Sequence, residues 1–161
     1  MSFLIIRQYS EGYDKVEPLH VSDKFRVIDL CGYSAARDYL SDIGYTASDD
    51  DAYLVNRAVK FLPNPNYKLK IYLDASINIS RKDDFEHLVE THDNVNSDLF
   101  FCRHPHRTSI YEEINTCYRL SKINKKSYND LTKRNDILTN KRVLTQNGFH
   151  ISRYSSDTWF W

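Results

Sequence analysis

The chain is poor in glycine, with four glycines in 161 residues, and this scarcity excludes one way of binding phosphate. Glycine-rich loops bind phosphate through main-chain N–H groups, which glycine allows to approach closely. Neither G-x-G-x-x-G nor G-x-x-x-x-G-K-[ST] occurs in the sequence. Any phosphate must therefore be bound by a metal ion, by side chains or by a helix N-terminus.

Cysteine is also scarce, and no long apolar run is present. Cys31, Cys102 and Cys117 are odd in number and widely spaced, without a C-x-x-C pair, which excludes a disulfide framework and a zinc knuckle. The first residues are too short for a signal peptide, and no stretch reaches the ~18 apolar residues of a membrane span. These absences predict a soluble, cytoplasmic protein without a membrane partner.

Net charge is absent as well, because 22 basic residues balance 22 acidic ones. The chain therefore has no overall basic field that would indicate nucleic-acid or membrane binding. Basic and aromatic residues interleave only over residues 118–142. This stretch is typical of the polar side of amphipathic helices, with a polyanionic acceptor as the alternative.

Apolar periodicity predicts alternating strands and helices in one domain over residues 1–161. This alternation predicts an α/β fold with a mainly parallel sheet flanked by helices. The strands are predicted at residues 3–9, 25–30, 70–73, 77–79 and 99–102. The helices are predicted at residues 34–40, 49–62, 82–91, 109–122 and 128–146, with Gly148 ending the last one.

One predicted strand ends in a carboxylate. Residues 71–75 read Ile-Tyr-Leu-Asp-Ala, so an apolar run stops at Asp74. In open α/β sheets, ligands bind outside the carboxyl ends of the strands. Asp74 could hold a divalent ion or position a phosphate or a sugar. The alternative is an ordinary turn aspartate.

A second polar cluster follows the strand predicted at residues 99–102. It reads Arg-His-Pro-His-Arg over residues 103–107. His104 and His106 can ligate a metal ion and Arg107 can neutralise a phosphate, although His-x-His spacing alone does not establish a metal site. Because this cluster also lies at a strand's carboxyl end, we expect it to converge with Asp74.

Two helices add charged candidates. Ser109 and Glu112 have the spacing of a capping box, whereas Glu113 borders the buried face of the same helix and is a candidate site residue. The alternative for Glu113 is an acid that offsets the helix dipole. Arg57 and Lys60 share a helix face at i, i+3 spacing and could bind a diphosphate, the alternative being a solvated cationic face.

Five motifs in one order resemble a known family. They are Glu11–Asp14, Arg57–Lys60, Ile71–Ile77, Arg103–Pro105 and Ser109–Glu113. In this order the chain resembles the glycosyltransferase-like family first catalogued as a domain of unknown function, with plant Golgi mucilage- and xylan-related, bacterial and phage members. The resemblance runs from about residue 4 to residue 149.

The resemblance implies a Rossmann-like GT-A fold of the nucleotide-diphospho-sugar transferase type. Asp74 would occupy the place of the metal-binding Asp-x-Asp and bind Mn²⁺ or Mg²⁺, together with His104. His104 and Glu113 would be the catalytic residues near the sugar. The implied donor-binding residues are Tyr9, Tyr13, Asp14, Arg57, Lys60, Asp74 and Arg107.

The implied function is metal-dependent transfer of a sugar from a nucleoside diphosphate, with a UDP-sugar favoured, to a polysaccharide, a protein or modified DNA. Relatives continue with further strands, so we expect a truncated or minimal version of the fold. Two alternatives stay open. Ser76, in place of the second acid of Asp-x-Asp, favours a non-enzymatic nucleotide- or partner-binding module. A metal-dependent hydrolase or nuclease would use Asp74, His104 and His106.

Overall fold

The computed structural model of the chain describes residues 3–12, 14–45, 51–95, 99–103, 109–134 and 145–154. The chain divides into two compact units, one formed by Met1–Phe101 with Gly148–Trp161 and the other by Cys102–Asn147. The prediction of a single domain over residues 1–161 stays a prediction.

The described part alternates strands and helices, largely as the apolar periodicity predicts. Eight of the ten predicted strands and helices are confirmed. Within the described residues, their observed ends differ from the predicted ends by at most three residues. The elements are β1 (Phe3–Tyr9), β2 (Phe25–Cys31), α1 (Gly32–Asp42), α2 (Ala52–Phe61), β3 (Leu69–Asp74), α3 (Lys82–Asn94), β4 (Leu99–Arg103), α4 (Ile110–Arg119), α5 (Lys125–Thr132) and β5 (Thr145–Arg153).

Two predicted elements are wrong. Residues 77–79 form no strand, because the chain turns directly after β3 and the Ile77 N–H donates to the Asp74 carbonyl at 2.9 Å. The helix predicted at residues 128–146 is helical over residues 128–132 but wrong in its extent, since α5 ends at Thr132 and Thr145 begins a strand. Gly148, predicted to end that helix, lies inside β5.

The sheet has the strand order β2-β1-β3-β5-β4. β1 pairs in parallel with β2 on one side and with β3 on the other, whereas β5 pairs antiparallel with β3. The register aligns Ile5 with Val27 and with Ile71. The carboxyl ends of β1, β2 and β3 therefore lie along the same edge of the sheet.

Both faces of the sheet are covered, because successive side chains of a strand point to opposite faces. Leu4 and Ile6 of β1 join a core cluster with residues of α1 and α2. On the other side, the Phe3 ring lies 5.3 Å from the Phe25 ring, which lies 5.7 Å from the ring of Phe85 in α3. Burial on both faces explains why β1 and β3 are nearly continuous apolar runs.

In the second unit, α4 packs against α5. The Tyr118 and Tyr128 rings stack at 4.4 Å, and the Tyr128 hydroxyl donates to Asn115 Oδ1 at 2.9 Å. Ser109 is the N-cap of α4 and forms the predicted capping box with Glu112. Its Oγ accepts from the Glu112 N–H at 3.2 Å.

The architecture is α/β, with a mostly parallel open sheet flanked by helices, as predicted. Within the described ranges, no helix combines the length and the apolar character needed to cross a membrane.

Candidate functional site

The carboxyl edge between β1 and β3 is the point where the chain changes direction across the sheet. From β1 the chain continues to β2 on one side, whereas from β3 it continues to β4 on the other side. In open α/β sheets, ligands bind outside the strand ends at such a switch point. Gln8 of β1 lies in register with Asp74 of β3 at this edge.

Asp74 meets a lysine at this edge. Lys60, on the last turn of α2, places its Nζ 3.5 Å from Asp74 Oδ1, and the ammonium lies 4.7 Å from the centre of the Tyr72 ring. The Asp74 side chain is 42% exposed and the Lys60 side chain only 15%. Burial lowers the pKa of the Lys60 ammonium, and the charge of Asp74 opposes that shift. Asp74 and Lys60, both predicted site residues, therefore form one charged pair.

Gly148 of β5 makes room for the Asp74 carboxylate. A Cβ at this position would lie 2.7 Å from Asp74 Oδ2 and 3.0 Å from Ile77 Cδ1, so any side chain would displace one of them. Glycine inside a strand often marks such a close approach. The identity of residue 148 therefore controls where the carboxylate lies.

Two buried side chains hold the end of α2 beneath this pair. Lys70 Nζ donates to the carbonyl oxygens of Val59 at 2.8 Å and Lys60 at 3.1 Å, and also to that of Leu62. His150 Nε2 donates to the same Lys60 carbonyl at 2.5 Å. The last carbonyls of a helix have no partner within the helix, so these donors satisfy them and fix the backbone of Lys60.

Burial also sets the protonation of these two groups. It lowers the pKa of Lys70 from 10.5 to about 7. It lowers the pKa of His150 from 6.5 to about 3, and the Lys70 charge adds to that shift. The His150 ring is stacked between Phe61 at 5.3 Å and Tyr72 at 5.4 Å. At neutral pH, His150 is therefore a neutral N–H donor.

A polar cavity of about 300 Å³ opens beside the pair, at the ends of β1 and β2. Its Asp14 is fixed by the preceding loop, since Asp14 Oδ2 accepts from the Ser10 N–H at 2.9 Å. Gln8 Nε2 donates to Asn56 Oδ1 at 2.5 Å, and Asn56 lies one turn before Lys60 on α2. The cavity is lined by Gln8, Tyr9, Ser10, Asp14, Gly32, Tyr33 and Asn56.

Helix α1 begins at this cavity. It follows β2 without a connecting loop, and its first residue, Gly32, has φ +74°, a value that L side chains rarely adopt. Cys31, at the N-cap, makes no capping bond through its side chain, and the first turn has no acidic residue. The Tyr33 hydroxyl is buried and has no hydrogen-bond partner among the described residues. The cavity thus presents amides, two phenols and one carboxylate.

The contacts of the other described site candidates are different. Arg57 packs over the Phe61 ring at 5.9 Å. Glu113 lies in α4 of the second unit, where its Oε1 accepts from Cys117 Sγ at 3.4 Å. Three predicted residues, Tyr13, His104 and Arg107, lie outside the described residues, as does His106.

Among the described residues, the charged partner of Asp74 is the Lys60 ammonium rather than a second carboxylate. Mg²⁺ is usually bound through one or two carboxylates together with water and substrate phosphates, and a neighbouring ammonium opposes a cation on the same carboxylate. In the described ranges, no three histidine, cysteine or acidic side chains are grouped as metal ligands. The second predicted ligand, His104, lies outside those ranges, so the metal site stays a prediction.

Several important residues were not predicted. Gln8, Tyr33, Asn56 and His150 have no local pattern that indicates a site. Lys70 does have one, because a lysine within an otherwise apolar strand must find acceptors when it is buried.

Comparison with known proteins gives no relative for this arrangement. No protein-family model, no curated protein and no solved structure matches the chain.

Proposed function

We propose that the chain binds a nucleoside diphosphate sugar at the carboxyl edge of β1 and β3 and transfers the sugar to an acceptor. One observation supports this most directly. A polar cavity and a charged pair meet at the switch point of a mostly parallel sheet, and Gln8 belongs to the cavity while pairing in register with Asp74. The finer assignment of the fold to the GT-A type is part of the proposal.

The cavity suits the nucleoside half of the donor. Phenol rings such as those of Tyr9 and Tyr33 can pack against a base and donate through their hydroxyls. Asp14 offers a carboxylate acceptor for ribose hydroxyls or base N–H groups. We take UDP-sugars as the favoured donors.

The charged pair suits the diphosphate half. Lys60 supplies a positive charge at the carboxyl edge of the sheet, and we propose that it stabilises the negative charge that develops as the nucleoside diphosphate leaves. The Asp74 carboxylate orients this ammonium. Arg57 and Arg107 remain proposed diphosphate contacts.

The catalytic roles of Glu113 and His104 in this transfer stay predictions from the resemblance. In the transfer, the acceptor hydroxyl loses its proton to a base, its oxygen bonds to the anomeric carbon, and the bond to the diphosphate breaks. A polysaccharide, a protein or modified DNA would supply that hydroxyl.

Thermal melts with UDP, GDP and CDP, in buffer that contains Mn²⁺, test the proposal. A ligand at 100 times its dissociation constant stabilises by about 2.7 kcal/mol, which raises Tm by roughly 5–10 °C for a domain of this size. We expect this shift with one nucleotide and its loss in Asp14→Asn. Asp83→Asn, an exposed position on α3, is the matched control. The proposal fails if none of the three nucleotides raises Tm.

A non-enzymatic nucleotide-binding module is the second candidate. Ser76, in the exposed turn after β3, leaves Asp74 without a second acid at i+2. Release of free sugar or transfer product from the bound UDP-sugar separates the two candidates, since a binding module shifts Tm without turnover. The third candidate, a metal-dependent hydrolase or nuclease, requires phosphodiester turnover without sugar transfer.

A further inference from the structure

Lys60 is held in position at both ends. Its carbonyl accepts from Lys70 and from His150, which anchors the backbone. Its side chain passes the Tyr72 ring and ends 3.5 Å from Asp74. Much of the entropy that a lysine normally loses when it binds a ligand is therefore already lost on folding.

The ammonium of Lys60 retains capacity for a ligand. It has three N–H donors, and the contact with Asp74, at the 3.5 Å limit of a hydrogen bond, uses at most one of them. Because the side chain is only 15% exposed, the ammonium sits where water screens charge less than at the open surface. It can therefore bind an anion as a fixed point charge.

The same position is poorly suited to a divalent ion. A cation on Asp74 would face the Lys60 ammonium across the same carboxylate. At the same edge, the Asn56 amide oxygen already accepts from Gln8 Nε2. Lys60 thus occupies the place in which a metal ion would neutralise a ligand.

We infer that Lys60 binds the diphosphate of the ligand directly and that nucleotide binding needs no divalent ion. The identity of the ligand as a nucleoside diphosphate rests on the proposed function, whereas the choice of Lys60 over a metal ion rests on the geometry of the charged pair. Asp74 then acts as a positioning residue for the ammonium.

Isothermal titration of UDP, GDP and CDP into the whole chain tests this inference, once with EDTA and once with excess Mn²⁺. The nucleotide that binds should have the same dissociation constant in both buffers within about threefold. Lys60→Met, which keeps the length of the side chain, should weaken binding about 10- to 100-fold, as expected for the loss of a charge-assisted hydrogen bond. Lys68→Met is the matched control, because Lys68 precedes β3 at the opposite edge and pairs with Asp93. It should bind the nucleotide as the unmodified chain does.

The possible outcomes distinguish the inference about Lys60 from the proposed function. Binding that requires Mn²⁺ would overturn the inference and leave the proposed function intact. Equal weakening by Lys60→Met and Lys68→Met would also overturn it, because the effect would then be general. Failure of all three nucleotides to bind in either buffer would overturn both. The comparison of EDTA with Mn²⁺ uses the unmodified chain, so it can overturn the inference even if Lys60→Met does not fold.

Discussion

Protonation of His150 should make the protein sensitive to mild acid. His150 is fully buried between Phe61 and Tyr72, and burial lowers its pKa from 6.5 to about 3. Between these two values, the unfolded chain binds a proton that the folded chain does not. Stability rises with pH wherever the unfolded state binds more protons, so it must fall as the pH drops below 6.5.

The expected loss follows from the size of this window. Between about pH 7.5 and about pH 5, only the unfolded state becomes protonated at His150, and it does so over the roughly 1.5 pH units below its pKa. At ~1.4 kcal/mol per pH unit, the free energy of unfolding falls by about 2 kcal/mol. For a chain of this size, that lowers Tm by roughly 4–8 °C. His92, also buried and with a lowered pKa, acts in the same direction.

Urea unfolding followed by far-ultraviolet circular dichroism at the two pH values measures this loss. His150→Gln keeps an N–H donor but does not titrate, so its loss between the two pH values should be smaller by about 2 kcal/mol. Comparing each variant with itself cancels the packing cost of the substitution. His87→Gln, at an exposed position of α3, is the control and should behave as the unmodified chain does. If His150→Gln and the unmodified chain lose the same stability to within about 0.5 kcal/mol, the buried neutral histidine is refuted.

Three further substitutions test particular contacts. Gly148→Ala places a methyl group 2.7 Å from Asp74 Oδ2 and should rotate the carboxylate, weakening nucleotide binding in calorimetry while Tm changes by less than about 3 °C. Unchanged affinity would contradict the role of Gly148. Asp29→Asn removes the charge that pairs at 2.7 Å with Arg7, which is 4% exposed, and should cost about 2 kcal/mol in urea unfolding. A loss under about 0.5 kcal/mol would show that Arg7 has adequate other partners. Ser109→Ala removes the capping oxygen of α4 and should cost about 1 kcal/mol, whereas an unchanged unfolding midpoint would argue against the capping box.

The first strands and helices could be predicted because their patterns are local. β1 and β3 are apolar runs bounded by polar residues, and α3 has acidic residues in its first turn, which favour a helix start. Such signals are present within each segment and need no knowledge of its neighbours.

β5 was not predicted, although residues 149–152 alternate apolar and polar side chains. All four residues are buried, so the polar positions face protein rather than water, and the strand extends back to Thr145 through residues without that alternation. Phe149 packs edge-on against Phe85, while His150 stacks under α2. A glycine after a charged, helix-like stretch resembles a helix end, and only the contact with Asp74 explains it.

The candidate site was predicted in part, for the same reason. Asp74 and Lys60 were expected from a strand tip and a helix face, and Asp14 and Tyr9, expected from the resemblance, line the cavity. The supports beneath them, Lys70 and His150, were not expected, since a lysine or a histidine in a strand does not reveal its partner.

The sequence by itself determined the α/β alternation and the acid at the end of β3, because both follow from apolar periodicity and from where it stops. Only the tertiary structure decided what surrounds that acid. Lys60, Asp74 and Gly148 lie far apart along the chain and meet because β3 pairs antiparallel with β5 while α2 packs on the same face. Strand pairing and packing are non-local. The ammonium beside Asp74, the room that Gly148 leaves and the contacts that hold the end of α2 therefore depend on the folded structure and not on any one segment.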